Sequence, residues 1–496
     1  MASQTVHDDG LLRHHTAEPI DIELPQSFEN SSMKRSGILV LFTLMSFSMG
    51  WSNSFAQQTA TDPTPTLQVS ENDFWANRGC SAGDARCQWF RDAKFGAIIH
   101  FGVYSELGGY YQGKGPYRPA EQIMGLGERR AVISPDEYLK NVASKFNPTG
   151  FDADEWVSQM KQAGMRYVIF TTKHHDGFCM FDTKTTTFDV VDSTPFGRDI
   201  VKELAEACRK QDMHLCLYYS IGDWSAKEVM DDQYANYGQY MKAQLKELLT
   251  NYGDVDLLWF DNWWYVEDQW STDTPHAREL YNFVRELQPN ILVNDRCGIG
   301  VESDHGDYGT PENQLKGSLQ ERYFEVVMTC TADDSWGWMK GADNYRRPDT
   351  LVRNLVDSVS KGGDFTLNIG PNDQGEFPRP QQVLLQKIGH WTNANAQAIY
   401  GTVPAPEVDL PSGGTAYATK SSNGSQYYLH VQSWPQRSPL KVRLPESFGD
   451  NVQVTQLSTG ASVEGIETGK VGGHLDVLIP RVEPEDDYFT VIKITK

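Results

Sequence analysis

The sequence predicts an α/β chain: an irregular TIM-like (β/α)8 barrel followed by a C-terminal antiparallel β-sandwich. Three observations lead there. From about residue 75 to 400, short apolar runs alternate with stretches of helical periodicity, the pattern of a parallel sheet covered by helices. Ionisable and aromatic residues gather just after those runs, at the carboxyl ends of strands where barrels carry their chemistry. Beyond residue 404 the pattern changes to short alternating runs divided by turn residues, as antiparallel sheets require.

The amino terminus precedes all of this. Residues 1–32 are acidic and unpatterned, and read as an upstream extension with Met33 as the expected start. Met33-Lys34-Arg35, the apolar GILVLFTLMSFSMGW, and small residues Ser54 and Ala56 before Gln57 form a secretory signal pattern over 33–56. The apolar core is short for a bilayer span, and an uncleaved anchor is the alternative. The expectation is export, to the periplasm or the extracellular space, with no membrane attachment after cleavage. Residues 57–74 are polar and rich in Pro and Thr, and read as a linker. The barrel is expected over 75–403 and the sandwich over 404–496.

Composition narrows the partners. The chain of 496 residues carries a formal charge of −22 with 39% hydrophobic and 11% aromatic residues. Nucleic-acid binding rests on clustered Lys and Arg, so an uncharged or cationic substrate fits better. Seven Cys is an odd number for an exported chain. Cys80 and Cys87 could close a small loop in an oxidising compartment, whereas Cys208 and Cys216 read as small apolar residues of a helix and a strand.

Seven barrel strands can be placed: 95–102 (FGAIIHFG), 167–172 (YVIFTT), 214–220 (HLCLYYS), 255–260 (VDLLWF), 291–294 (ILVN), 325–329 (EVVMT) and 364–369 (DFTLNI). The eighth has no clear signature. Between them DADEWVSQMKQAG shows an Asp cap, acids in the first turn and a Gly stop. DIVKELAEACRKQ and YMKAQLKELLTNYG show apolar residues three and four apart. In the sandwich, TAYATK, SQYYLHVQ, LKVRL, VQVTQL, HLDVLI and YFTVIKI are the candidate strands.

LLWFDNWW, Leu257 to Trp264, is the most informative stretch. A four-residue apolar run ends on Asp261 among indoles, and indole faces suit the C–H face of a sugar ring. Around it, His100 ends the first strand, Lys173-His174-His175-Asp176 follow the second, and Tyr218 and Tyr219 end the third. Asn294-Asp295-Arg296 end the fifth, with Glu302 and Glu312 in the loop beyond. Strand parity allows only one of Tyr218 and Tyr219 to face inward.

Two chemistries compete for such a set. Three His and an Asp could ligate zinc, giving a metal-dependent barrel hydrolase. However, adjacent His174 and His175 converge only if the chain has already turned out of its strand. Retaining glycoside hydrolysis instead needs two carboxyls roughly 5 to 5.5 Å apart, one a nucleophile and the other a general acid. Asp261 at a strand end suits the nucleophile, and Glu302, Glu312 and Glu325 are candidates for the acid. A protein that binds the same sugar without turning it over is a third reading.

That resemblance is carried by FGAIIHFGVYS, YVIFTTKHHDGF, LLWFDNWW, ILVNDR, GDYGTPENQ, DDSWGW and LVDSVSKGGDFTLNIGP, in order from about 90 to 400. Together they resemble the α-L-fucosidases of glycoside hydrolase family 29. GVYSELGG, AEQIM and TPEN are similar to the branch preferring α-1,3/1,4-linked fucosides. The resemblance implies a retaining exo-α-L-fucosidase acting on fucosylated oligosaccharides or glycoconjugates, without a metal or other cofactor. It implies Asp261 as nucleophile and Glu312 as general acid/base. It further implies His100, His174, His175, Tyr218, Trp259, Arg296 and Trp336 or Trp338 as substrate-binding residues. The chain departs from many relatives in having GGYYQGKG where an acidic-aromatic pair follows the first strand.

Overall fold

In the computed structural model, residues 79–496 are described apart from 81–82, 126–131, 226–233, 262–274, 298–305, 317–321, 412–413 and 485–487. The expected upstream extension, signal segment and linker, and Glu302, lie outside the described residues. Seven parallel strands form the first sheet: β1 (Phe95–Ile99), β2 (Tyr167–Lys173), β3 (His214–Ser220), β4 (Leu257–Asp261), β5 (Leu292–Val293), β6 (Glu325–Met328) and β7 (Asp364–Ile369). Their order is β5-β4-β3-β2-β1-β7-β6. Each corresponds to an expected run. Nearly every residue in them is buried, because helices cover one face and the barrel interior the other.

The eighth position, which the sequence left blank, is filled without a full strand. The segment Asp307–Asn313 makes isolated parallel bridges to both neighbours, Asn294 with Tyr308 on the β5 side, and Gly309 with Phe324 and Glu312 with Val327 on the β6 side. Backbone bonds from Asp307 N to Val293 O, Glu325 N to Gly309 O and Val327 N to Pro311 O stitch it in place. The ring closes through this segment. Its composition, Gly309 and Pro311 among polar residues, gives no strand signal, which is why the pattern concealed it.

Helices form where caps and apolar spacing agree. Helix Ala153–Gln162 begins with the Asp152 side chain accepting from Glu155 N, and Gly164 beyond its end has φ +92°. Helix Ile200–Gln211 is capped by Asp199 in the same way and buries Ile200, Val201, Leu204, Ala205 and Cys208. The barrel interior is a separate apolar cluster, including Ile98, Tyr167, Ile169, Cys216, Tyr218, Leu257 and Trp259. Cys80, Cys87 and Phe90 complete it from the amino-terminal end. Cys80 and Cys87 are joined by a disulfide.

The C-terminal strands form two antiparallel sheets. One holds β8 (Thr402–Pro404), β9 (Thr415–Ser421), β10 (Gln426–Ser433), β12 (Gln453–Gln456) and β15 (Thr490–Thr495). The other holds β11 (Leu440–Pro445), β13 (Glu467–Val471) and β14 (His474–Ile479). Two of these eluded the pattern. β8 is short and proline-ended, and β13 is exposed at every residue, so no apolar alternation marks it. The larger sheet packs on the barrel's helical layer: Tyr428, Phe489 and Val491 join the barrel's outer core, and Trp391 Nε1 donates to Phe489 O at 3.0 Å.

Candidate active site

The carboxyl ends of the strands surround a cavity of about 410 Å³, including its open mouth. It is lined by His100, Glu121, Gln122, His174, His175, Tyr218, Trp259, Asp261, Glu312 and Trp336, over Ile98 and Val327. Of the ten residues that the resemblance implies, all but Arg296 and Trp338 lie on it. Arg296 sits behind the two carboxyls rather than on the lining. Trp338 lies outside the cavity, close enough to Gly108 that a Cβ there would fall 2.9 Å from its ring.

Strand register sets the first pair. β3 and β4 run side by side with Tyr218 opposite Trp259 and Ser220 opposite Asp261, so alternation turns Tyr218 and Trp259 inward together. Their rings stack at 5.4 Å. Tyr219 points the other way and donates to Gln244 at 2.6 Å. The Tyr218 hydroxyl donates to Asp261 Oδ2 at 2.8 Å.

The two histidines converge because β2 ends at Lys173, and both lie in the turn beyond it. Gly177 N closes that turn on His174 O. Gly177 has φ +80°, and a Cβ there would sit 2.0 Å from Asp223 Oδ1, so only glycine fits. Asp176 serves the turn, accepting from Phe178 N and from the Tyr138 hydroxyl.

Hydrogen bonds assign the imidazole tautomers. Asn368 Nδ2 donates to Trp336 O at 2.7 Å, which directs its Oδ1 toward His100 Nδ1 at 2.8 Å. Nδ1 therefore carries the proton and Nε2 the lone pair. Ser220 donates to Gly222 O, so it accepts from His175 Nδ1 at 2.9 Å, and His175 Nε2 stands 3.9 Å from Asp261 Oδ2. Burial pushes His100 down to about 3 and His175 to about 4, and lowers His174 well below its ordinary value. Neutral rings with an unprotonated nitrogen accept hydrogen bonds from hydroxyl groups.

Arg296 joins the two acids. Its Nη1 lies 3.0 Å from Asp261 Oδ1 and 3.0 Å from Glu312 Oε2, and its guanidinium stands 4.4 Å from the Trp259 ring. The two carboxylate oxygens are thus no more than about 6 Å apart, a bound that admits the spacing of a retaining pair and falls below most of the inverting range. Burial opposes the charge on Arg296, but the two carboxylates hold its pKa above the ordinary value. Glu312 keeps 40% of its side chain exposed at the mouth. Crowding by protein raises its pKa, Arg296 pulls it down and Asp261 pushes it up, leaving it raised.

Glu121 and Gln122 were missed. They come from the loop after β1, but downstream of the GGYYQGKG stretch, in the AEQIM run that served only as a likeness. Glu121 is 1% exposed, accepts from Gly337 N at 2.8 Å, and is pushed up by burial to about 7. Neither its Oε1 nor His174 Nδ1 has a protein partner among the described residues. Orphaned buried polar atoms in a cavity call for a ligand rich in hydroxyls. Glu325, a candidate for the acid, instead lies fully buried behind Trp259 and accepts from Trp259 Nε1, Tyr167 and Thr366. Among the described residues no group of three or more His, Cys, Asp or Glu is arranged to hold a metal.

A barrel whose mouth sets two carboxyls across a pocket of neutral imidazoles and stacked aromatics has the architecture of a glycoside hydrolase. The α-L-fucosidase family model matches residues 68–397, and the chain belongs to that family. It is 28% identical to an α-L-fucosidase of Dictyostelium discoideum over 82% of this chain and 92% of that one. It is 30% identical to the tissue α-L-fucosidase of Homo sapiens over 72% and 78%. Among solved structures it resembles a family 29 α-L-fucosidase of Bacteroides thetaiotaomicron, trapped as a covalent intermediate with 2-fluoro-fucosyl fluoride. That likeness has TM-score 0.72 and 27% identity, covering 84% and 97% of the two chains. An α-L-fucosidase of Vibrio sp. strain EJY3 gives TM-score 0.74 at 29% identity over 86% and 74%.

Proposed function

We propose that the chain is a retaining exo-α-L-fucosidase in which Asp261 is the nucleophile and Glu312 the general acid/base. The observation that carries this reading is Arg296 Nη1 standing between the two carboxyls. In the first step Asp261 attacks the anomeric carbon while protonated Glu312 gives its proton to the leaving oxygen. In the second, Glu312 as carboxylate takes a proton from water, which attacks the fucosyl–Asp261 ester and releases fucose. Tyr218 orients Asp261. His100, His174, His175 and Glu121 meet ring hydroxyls, and Trp259 and Trp336 supply apolar surface. The covalent intermediate trapped in the Bacteroides relative, with a Glu-to-Gln variant of that enzyme, is the behaviour expected of this chemistry.

Azide separates the roles. With Asp261→Gly, turnover is lost and added azide yields β-fucosyl azide; with Glu312→Ala, azide restores turnover of an activated aryl fucoside and yields α-fucosyl azide. Full activity in Asp261→Gly overturns the reading. The substrate is taken to be a fucosylated oligosaccharide or glycoconjugate, and comparison of 2′-fucosyllactose with Lewis-type trisaccharides tests the α-1,3/1,4 preference. Export is part of the proposal, supported by the 33–56 pattern and the Cys80–Cys87 bridge; amino-terminal sequencing of exported protein should begin at Gln57.

A further inference from the structure

Glu312 belongs to the segment that closes the barrel by isolated bridges instead of a continuous ladder, so its backbone needs other anchors. The residues on either side supply them. Two positions before it, the Thr310 hydroxyl donates to Asp295 Oδ1 at 2.5 Å and accepts from Arg296 Nε at 2.9 Å. Thr310 N donates to Asp295 Oδ2 at 3.3 Å, and Thr310 O accepts from Arg296 Nη2 at 2.9 Å. A guanidinium is planar and rigid. Gripping Nε and Nη2 therefore fixes where Nη1, the nitrogen shared by Asp261 and Glu312, must lie.

One position after Glu312, Asn313 takes φ +51°, a conformation that Asn tolerates better than most residues. Its N donates to Val327 O at 2.8 Å, and its Oδ1 accepts from Thr329 N at 3.0 Å. The amide thus continues the edge of β6 where the segment turns away. Asp295 is itself buried, so the Thr310 hydroxyl is tied to a group that does not yield to solvent.

We propose that Thr310 and Asn313 are positioning residues for Glu312, Thr310 through the Arg296 guanidinium and Asn313 through the end of β6. This rests on Glu312 being the acid/base. The acid must reach the leaving oxygen at hydrogen-bond distance, and an ångström of misplacement costs about a hundredfold. Loss of either anchor therefore weakens proton donation most where the leaving group needs it most.

The test is kcat/KM over aryl α-L-fucosides from phenyl to 2,4-dinitrophenyl. Thr310→Val and Asn313→Gly, the latter keeping the backbone conformation, should cut the rate on phenyl fucoside by roughly tenfold to a hundredfold. The dinitrophenyl substrate should lose much less, and Thr310→Ser and Asn313→Asp should restore the parent selectivity. An equal loss on every leaving group, or none, overturns the proposal. If Thr310→Val does not fold, Asn313→Gly decides. Glu312→Ala with azide is run alongside: absence of rescue there overturns the acid/base reading and this proposal with it. Rescue with flat leaving-group profiles overturns the positioning role alone.

Discussion

Trp259 and Glu325 are joined across the barrel interior, the indole Nε1 donating to Oε2 at 3.1 Å. The other oxygen of Glu325 accepts from Tyr167 at 2.7 Å and from Thr366 at 2.5 Å. A fully buried carboxylate with three donors is a fixed point, and through it β2, β4, β6 and β7 all act on the ring beneath Arg296. Glu325→Gln puts an amide N–H where a donor already stands. We expect a loss of about 1.5–3 kcal/mol of stability by denaturant titration and roughly a tenfold fall in kcat/KM. Azide should not restore Glu325→Ala; rescue there would transfer the acid/base role to Glu325.

Tyr218→Phe removes the hydroxyl that donates to Asp261 Oδ2. A hydrogen bond to a charged group contributes about 1.5–3 kcal/mol, so inactivation by 2-fluoro-fucosyl fluoride should slow roughly tenfold to a hundredfold. Because that reagent reports attack by the nucleophile, an unchanged inactivation rate would remove Tyr218 from the orientation of Asp261.

Two pH effects follow from the buried acids. The raised pKa of Glu312 keeps its acid form present further toward neutrality, so kcat/KM should fall on the alkaline side as that proton is lost. Glu312→Gln should abolish that limb. Burial pushes Glu121 up to about 7 in the folded chain from an ordinary value of 4.5, so between those values the folded state binds more protons. Stability then falls as pH rises through that window, by at most about 3 kcal/mol from this one group. Glu121→Gln should flatten the Tm–pH profile between about pH 4.5 and 7; a profile unchanged from the parent would remove Glu121 as its source.

The disulfide closes an eight-residue loop, Cys80 to Cys87. Arg86 Nη2 donates to Asp307 Oδ1 at 3.1 Å, and Cys80 N to Asp307 O at 2.7 Å. Restricting a loop of that size in the unfolded chain stabilises by roughly 2–3 kcal/mol. Cys80→Ser with Cys87→Ser should lower Tm by several degrees, and reductant should do the same to the parent but not to the variant. Equal sensitivity of both would place the redox effect elsewhere.

How much was legible depended on whether a residue's role left a local trace. The strands buried on both faces announced themselves as continuous apolar runs, and Asp261 was marked by ending one of them. His174 and His175 could be read only conditionally, since their convergence needs the turn that Gly177 permits. Glu121 was concealed: the single 3-10 turn Ala120–Gln122 is too short to show periodicity, and its carboxyl's backbone donor is Gly337, 216 residues away. Trp336 and Trp338 are alike in sequence, and only the fold separates them, setting Trp336 against His100 on the cavity and Trp338 against Gly108. The closing segment was invisible as a strand because Gly309 and Pro311 among polar residues leave no apolar run, and the structure joins it to its neighbours only by isolated bridges.

That scattered closure has an evolutionary side. Asp261, the proposed nucleophile, is mounted on β4 and laddered to β3 at Ser220, while Glu312, the proposed proton donor, rides on the wall's seam. Substitutions in that seam that leave Thr310 and its bonds to Arg296 in place can therefore retune which aglycones are expelled while Asp261 keeps its guanidinium partner. Diversification of leaving-group scope should concentrate on that seam, and libraries for new linkage specificity are best built there.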